Sequence, residues 1–169
     1  MSVAIHQFHS ALRWGVAAAA AVLAAAVVST PPAHAHAQPP AFACAPSAAA
    51  EGEVIGSGPG GFDTGPAAIL GFEHAYYVSR SAVEALRFVD PASVLADRGP
   101  GLQAGIDAVA LGTRHCVRIR PIDTDGPRAR WAVSITEFDA ATSFSHSTDQ
   151  IITTRTAGGR TLLGAITPA

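Results

Sequence analysis

The chain has 169 residues, with 11 basic and 13 acidic side chains and a formal net charge of −2. That length suits a single domain. A mildly acidic chain without a long basic run lacks the positive surface that binds nucleic acid phosphates, so composition excludes nucleic acid as the expected partner.

The first 37 residues have the pattern of an export signal. Arg13 precedes an apolar run from Trp14 to Val28, which suits a signal-peptide core and is shorter than the roughly 20 residues that span a bilayer. Cleavage after Ala37 fits a small-x-small pattern. We therefore predict a signal peptide over residues 1–37, a secreted or cell-envelope location, and no transmembrane segment after cleavage. An uncleaved anchor is the alternative.

The chain has two cysteines, Cys44 and Cys116. Two cysteines in an exported chain are expected to pair, and the bond would close a loop of about 72 residues, which is worth on the order of 4 kcal/mol. Lipidation of Cys44 is one alternative, because Phe42-Ala43-Cys44 weakly resembles a lipobox. Two free thiols are the other.

Residues 38–62 are rich in Pro, Gly and Ala. Such a composition buries too little apolar area to offset its ordering entropy, so we predict a flexible tail. The glycine run Gly56–Gly61 lacks the Gly-Lys-Ser/Thr ending of a phosphate loop. Residues 63–169 are predicted to form the domain.

Helix signals come first in this domain. Apolar residues at three-four spacing run from Pro66 to Val89, and Ser81 with Glu84 forms a capping box inside that stretch. We predict two helices, Pro66–Ser79 and Ala82–Val89, and a short third helix at Leu102–Val109.

Strand signals follow from Thr113, where the apolar period changes to two. Four strands joined by short turns predict an antiparallel meander. Helices first and sheet after, without β-α-β alternation, predict an α+β domain of two layers.

The segment Ala68–Ser81 is similar to the first-helix pattern of NTF2-like (cystatin-like α+β) domains, and Gly65–Ile166 resembles small secreted proteins of high-GC bacteria. The resemblance implies N-terminal helices packed on a curved four-stranded antiparallel sheet, often with a cone-shaped pocket. It implies no activity, because that fold hosts enzymes and binding modules alike.

Four side chains are candidates for acid–base chemistry, and they would work as a His/Tyr pair in an apolar interior: His74, Tyr76, Tyr77 and His115. His115 shares a strand face with Val117, so it is expected to point toward the helices. The His spacings match no zinc pattern, and we predict neither a metal nor a cofactor. A histidine hydrogen-bonded at the edge of the core is the structural interpretation of His74.

Two further sets of residues are candidates for binding. Phe72, Tyr76 and Trp131 could line a ligand pocket, although Trp131 alternates with core residues. Four arginines form a basic cluster that could hold an anionic ligand or could be a solvent face: Arg118, Arg120, Arg128 and Arg130.

These observations favour an exported non-catalytic domain that binds a protein partner or a small apolar ligand. The alternative is a small pocket enzyme of the isomerase or dehydratase type that uses a His/Tyr acid–base pair. A homodimer through the outer sheet face is a third hypothesis.

Overall fold

The structure is a computed structural model that describes residues 44–139 and 141–169. The predicted signal peptide and the start of the predicted tail lie outside these residues. The helices are α1 (Gly65–His74), α2 (Ala82–Leu86) and α3 (Gly99–Ala108), and α1 continues into a π-helical turn at Ala75–Ser79. The strands are β1 (Val54–Gly56), β2 (Arg114–Asp123), β3 (Arg128–Asp139), β4 (Phe144–Ala157) and β5 (Arg160–Pro168).

The five strands form an antiparallel sheet in the order β1-β2-β3-β4-β5. The fold is α+β, but the prediction of N-terminal helices packed on a four-stranded sheet is wrong. β1 comes before the helices, so the helices connect β1 to its neighbour β2. The NTF2-like resemblance relied in part on a count of four strands, and it stays a prediction.

The extra strand falls within residues 38–62, which were predicted to be a tail. β1 has only three residues, and Val54–Gly56 pairs with Val117–Ile119 of β2. Ile55 is buried, and Arg118 Nη1 donates to Glu53 Oε2 at 2.8 Å. Pairing with a distant strand therefore gives this segment the order that its own composition does not supply.

Local capping signals set where the helices begin. Thr64 Oγ1 accepts from the Ala67 amide at 3.2 Å, and Ser81 Oγ accepts from the Glu84 amide at 3.3 Å. Between these two caps, Arg80 adopts a left-handed conformation with φ of 53°, which separates α1 and its π turn from α2. The second helix ends at Leu86, earlier than predicted, and Val89 instead bridges to Leu163 of β5.

The core lies between the helices and one face of the sheet. Period-two alternation sends every second residue of each strand to that face, and the helices supply the opposing apolar side chains. The buried cluster comprises Ala68, Ile69, Phe72, Ala75, Ala85, Val89, Val117, Ile119, Val133, Ile135, Ile152 and Leu163. None of the described helices is both long and apolar enough to cross a membrane.

Cys44 and Cys116 form a disulfide with their Cα atoms 5.3 Å apart, so the predicted pairing is confirmed. The bond ties the start of the described chain to β2. Because the Sγ atom of Cys44 is used in this bond, neither lipidation nor a free thiol is the state seen here. A disulfide is consistent with an oxidising, extracellular setting.

Candidate functional site

Three polar residues lie side by side on the helix-facing side of the sheet. His115 of β2 is in register with Glu137 of β3, and Glu137 is in register with His146 of β4. Directly opposed residues of antiparallel strands have their Cβ atoms about 5 Å apart on the same face. The strand register therefore aligns two imidazoles with a carboxylate between them.

The π-helical turn after α1 brings a tyrosine to this row. The Tyr77 ring stacks on the His115 ring at a centroid distance of 4.6 Å, and its hydroxyl donates a hydrogen bond to Glu137 Oε1. His146 Nε2 lies 3.6 Å from Glu137 Oε2. The Glu137 carboxylate is thus approached from two sides by groups that fix its position. Single π turns occur frequently at functional sites.

A second carboxyl group lies deeper in the cluster. Glu73 of α1 is 3% exposed, and burial raises its pKa to about 8, with a further contribution from the negative charge of Glu137. Glu73 is therefore protonated at neutral pH. Burial also raises the pKa of the Tyr77 hydroxyl, as does its hydrogen bond to Glu137.

His115 is buried in its neutral form. It is 4% exposed, and this burial lowers its pKa to about 4, with a smaller contribution from the charge of His74. Its Nε2 atom has no hydrogen-bond partner among the described residues. The interior part of the cluster therefore holds a neutral imidazole and a neutral carboxyl group at pH 7.

The cluster reaches solvent through a groove that we call the Glu137 groove. It has a volume of about 310 Å³ and is lined by Ala108, Val109, Ala110, Thr113, Glu137, Asp139, Phe144 and His146. Phe144 is 61% exposed and stacks on His146 with ring centroids 6.1 Å apart. Apolar side chains therefore form one part of the walls, and two carboxylates, Glu137 and Asp139, lie beside the His146 imidazole in the other.

Only some of the candidate acid–base residues lie close together in the structure. Tyr77 and His115 are in contact, and the Tyr76 ring lies 4.9 Å from that of Tyr77. His74 makes a different contact, a 3.2 Å hydrogen bond between Nδ1 and the Ser57 carbonyl oxygen. Of the predicted set, Tyr77 contacts Glu137 directly, and His115 lies beside Glu137 in strand register and stacks on Tyr77.

The predicted pocket residues occupy three different environments. Phe72 is in the buried core, and Tyr76 packs on Tyr77. Trp131 donates from Nε1 to Thr154 Oγ1 at 2.9 Å and borders a separate cavity of about 230 Å³ at the start of α1. None of the three is among the residues that line the Glu137 groove.

Sequence reasoning did not select Glu73, Glu137 or His146. Glu137 carried a signal, because its parity places it on the same strand face as Trp131. Glu73 is an isolated acidic residue within an apolar helical stretch. Such a position could have indicated that its carboxyl group is buried. His146 lies in a run of Ser and Thr that gave no clear periodicity.

Within residues 44–139 and 141–169, no three His, Cys, Asp or Glu side chains are grouped so that they could hold a metal ion. The chemistry that the site offers is hydrogen bonding and charge pairing at Glu137, together with proton exchange among neighbouring groups.

Replacing His115 by Phe is expected to remove a pH-dependent loss of stability between about pH 6.5 and 4. The unfolded chain gains a proton on His115 as the pH falls through 6.5, whereas the folded chain gains it only near 4, so wild-type stability falls over this window. The difference corresponds to roughly 3 kcal/mol. Urea unfolding of both proteins across this window measures it, and equal slopes would contradict the prediction.

The fold and the site together define a small α+β domain with a five-stranded antiparallel sheet and a polar cluster that opens into an apolar groove. The chain belongs to the family described as Domain of unknown function (DUF8176), whose model matches residues 42–167. No curated protein and no solved structure matches the chain.

Proposed function

We propose that the chain is an exported, non-catalytic binding domain that holds a small ligand in the Glu137 groove. The ligand has an apolar body and a positively charged or hydrogen-bond-donating group. The observation that carries this proposal is the Glu137 carboxylate, held by Tyr77 and flanked by His146 beside apolar walls.

The chemistry of the groove supports a small ligand of this type. A volume of about 310 Å³ lies at the lower end of the range for small-molecule sites, which are mostly apolar with a few placed polar groups. The Glu137 side chain is 23% exposed, so a charge that pairs with it is only partly screened by water. Because Tyr77 already orients the carboxylate, binding requires little reordering.

The proposed export is supported by two features. The apolar run and cleavage pattern of residues 1–37 are typical of a signal peptide. The Cys44–Cys116 disulfide is a bond that persists in oxidising compartments. Detection of the mature chain beginning at Gln38 outside the cytoplasm would test this part of the proposal.

Replacing Glu137 by Gln is expected to weaken binding of a hydrophobic amine about tenfold or more. Hydrogen bonds to charged groups contribute about 1.5–3 kcal/mol, and each 1.4 kcal/mol is a factor of ten in affinity. The probe is 2-phenylethylamine, titrated into the isotopically labelled chain and followed by NMR shifts of the groove residues. Phenylpropionate, which has a similar body and the opposite charge, is expected not to bind there.

Asp149→Asn is the matched control, because it removes one negative charge from an exposed position in β4, outside the groove lining. Binding by this variant is expected to equal that of the wild type. Equal affinities of amine and acid, or equal losses in the two variants, would contradict a site centred on Glu137.

A second candidate function is a small pocket enzyme that uses a His/Tyr acid–base pair. The contact of Tyr77 and His115 with each other, beside Glu137, favours it. The 4% exposure of His115 counts against it, because a general base must reach the proton that it removes. Exchange of α-protons of phenylacetone in D₂O, measured by NMR, tests this candidate, and a rate equal to that in buffer would exclude it for this substrate.

A further inference from the structure

A second cavity lies on the other face of the sheet, and we call it the Arg128 cavity. Its volume is about 360 Å³, and it is lined by Asp90, Ala92, Ser93, Arg128, Thr153, Arg155, Gly164 and Ala165. Side chains alternate between the two faces along a strand, so Arg128 and Glu137 of β3 lie on opposite sides. This cavity is therefore distinct from the Glu137 groove.

One wall of the Arg128 cavity is the segment that follows α2. This segment lies along β5, because the Asp90 amide donates to the Leu163 carbonyl oxygen at 2.8 Å and Ser93 Oγ donates to that of Gly164. The floor is formed by β4 and β3, where Arg155 and Arg128 lie directly opposite each other. The cavity is thus built from ordered backbone on two sides.

The cavity contains two guanidinium groups and one carboxylate. Asp90 is 5% exposed, and it accepts from Arg155 Nε at 2.7 Å and from the Ala92 amide at 3.0 Å. The hydrogen bond from Arg155 and the bond from the Ala92 amide hold the pKa of Asp90 below its ordinary value. Asp90 is therefore ionised and is already paired with one of the two arginines.

The cavity has one positive charge in excess, because two guanidinium groups face one carboxylate. Asp90 pairs directly with Arg155, and the charge of Arg128 acts on it without direct contact. No carboxylate of the described residues lies within ion-pair distance of Arg128, and like charges directly opposite each other on neighbouring strands are destabilising. The two members of the predicted basic cluster that lie on β2 differ, because Arg118 and Arg120 are 2.8 and 3.9 Å from Glu53. The predicted basic cluster is thus divided, and the excess positive charge in this cavity lies at Arg128.

We propose that the Arg128 cavity binds a small oxyanion, a carboxylate or a phosphate group, between Arg128 and the part of Arg155 that does not contact Asp90. Arg155 uses Nε for Asp90, so its terminal nitrogens remain as donors. Guanidinium groups match the planar or tetrahedral arrangement of carboxylate and phosphate oxygens. Thr153 also lines the cavity, and its hydroxyl is a further candidate donor in the proposed site.

Replacing Arg128 by Gln is expected to weaken anion binding at least tenfold. The full chain with its disulfide intact is titrated with inorganic phosphate and, separately, with acetate at constant chloride concentration. Binding is followed by NMR through the Arg128 and Arg155 Nε signals. Tighter binding of phosphate identifies a phosphate-bearing ligand, and tighter binding of acetate identifies a carboxylate; either result supports the proposal.

Arg130→Gln is the matched control. Arg130 is exposed, lies two residues further along the same strand on the same face, and is not part of the cavity lining. The affinity of this variant is expected to change less than twofold, and Arg128→Lys, which keeps the charge, is expected to lose less than Arg128→Gln. Thermal unfolding checks that each variant is folded.

Two results would overturn the proposal. One is the absence of saturable binding of either anion at 10 mM, a concentration on the order of that needed to detect millimolar affinity. The other is an equal loss in Arg128→Gln and Arg130→Gln, which would show a diffuse surface potential instead of a site. Neither result bears on the Glu137 groove, because the Arg128 cavity shares no lining residue with it.

Discussion

Replacing Glu73 by Gln is expected to abolish a loss of stability that the wild-type domain shows as the pH rises from about 4.5 to 8. The folded chain keeps the Glu73 proton up to about pH 8, whereas the unfolded chain releases it near the ordinary value of 4.5. The folded state binds more protons in this window, so stability is greatest below it and falls through it. The full difference is on the order of 5 kcal/mol, and Gln keeps the shape of the neutral carboxyl group.

Urea unfolding at half-unit steps from pH 4 to 9 measures this effect. Glu51→Gln is the control, because Glu51 is exposed and its replacement is expected to leave the wild-type profile unchanged. A Glu73→Gln profile parallel to that of the wild type above pH 6.5 would contradict a buried, protonated Glu73.

The Glu73 and His115 effects have opposite signs where their windows overlap. Between about pH 4.5 and 6.5 the wild type loses stability through Glu73 as the pH rises and gains it through His115. A nearly level profile in this interval, with a decline on both sides, is therefore expected. The Glu73→Gln variant keeps only the pH dependence due to His115, and the His115→Phe variant keeps only that due to Glu73. The two predictions can therefore be tested independently.

Breaking the Cys44–Cys116 bond is expected to lower the free energy of unfolding by about 4 kcal/mol. The bond joins residues 72 positions apart, and in the chain-entropy model a loop of this length restricts the unfolded ensemble by about that amount. The bond also holds the segment that leads into β1, and β1 makes only three register pairs with β2. Early loss of hydrogen-exchange protection in Val54–Gly56 is therefore expected as well.

Guanidinium unfolding of the oxidised protein and of the Cys44→Ser/Cys116→Ser double variant measures the change. Adding reductant is expected to destabilise the wild type and to leave the double variant unchanged. Coincident unfolding midpoints for the oxidised wild type and the double variant would contradict the prediction.

Features encoded by neighbouring residues could be predicted. The Thr64 cap needs only the amide three residues later, and the Ser81–Glu84 cap has the same spacing. The alternation after Thr113 predicted the long strands, because side chains on a strand repeat every two residues. The pairing of Cys44 with Cys116 could also be predicted, because two cysteines allow one intramolecular bond and the sequence predicts export to an oxidising compartment.

β1 could not be predicted, because its three residues carry no periodic signal and adjoin a glycine-rich run. Its order depends on pairing with β2, more than 60 residues further along the chain. The site likewise depends on contacts between residues far apart in the sequence, since Tyr77, whose hydroxyl binds Glu137, precedes it by 60 positions. The alternation of side chains along β3 indicates which face of the sheet Glu137 lies on. It does not indicate that Tyr77 is its partner on the helix side.

The amino-acid sequence alone determined the class of fold, the long strands, the helix starts and the cysteine pair, because each of these depends on short-range patterns or on composition. Only the tertiary structure decided that a fifth strand precedes the helices, that Glu73 is buried beside the charge of Glu137, and that Arg128 lies opposite an arginine, Arg155, that is already paired with Asp90. Burial and strand register are properties of distant segments in contact, and they set the charge states from which both proposed sites are inferred.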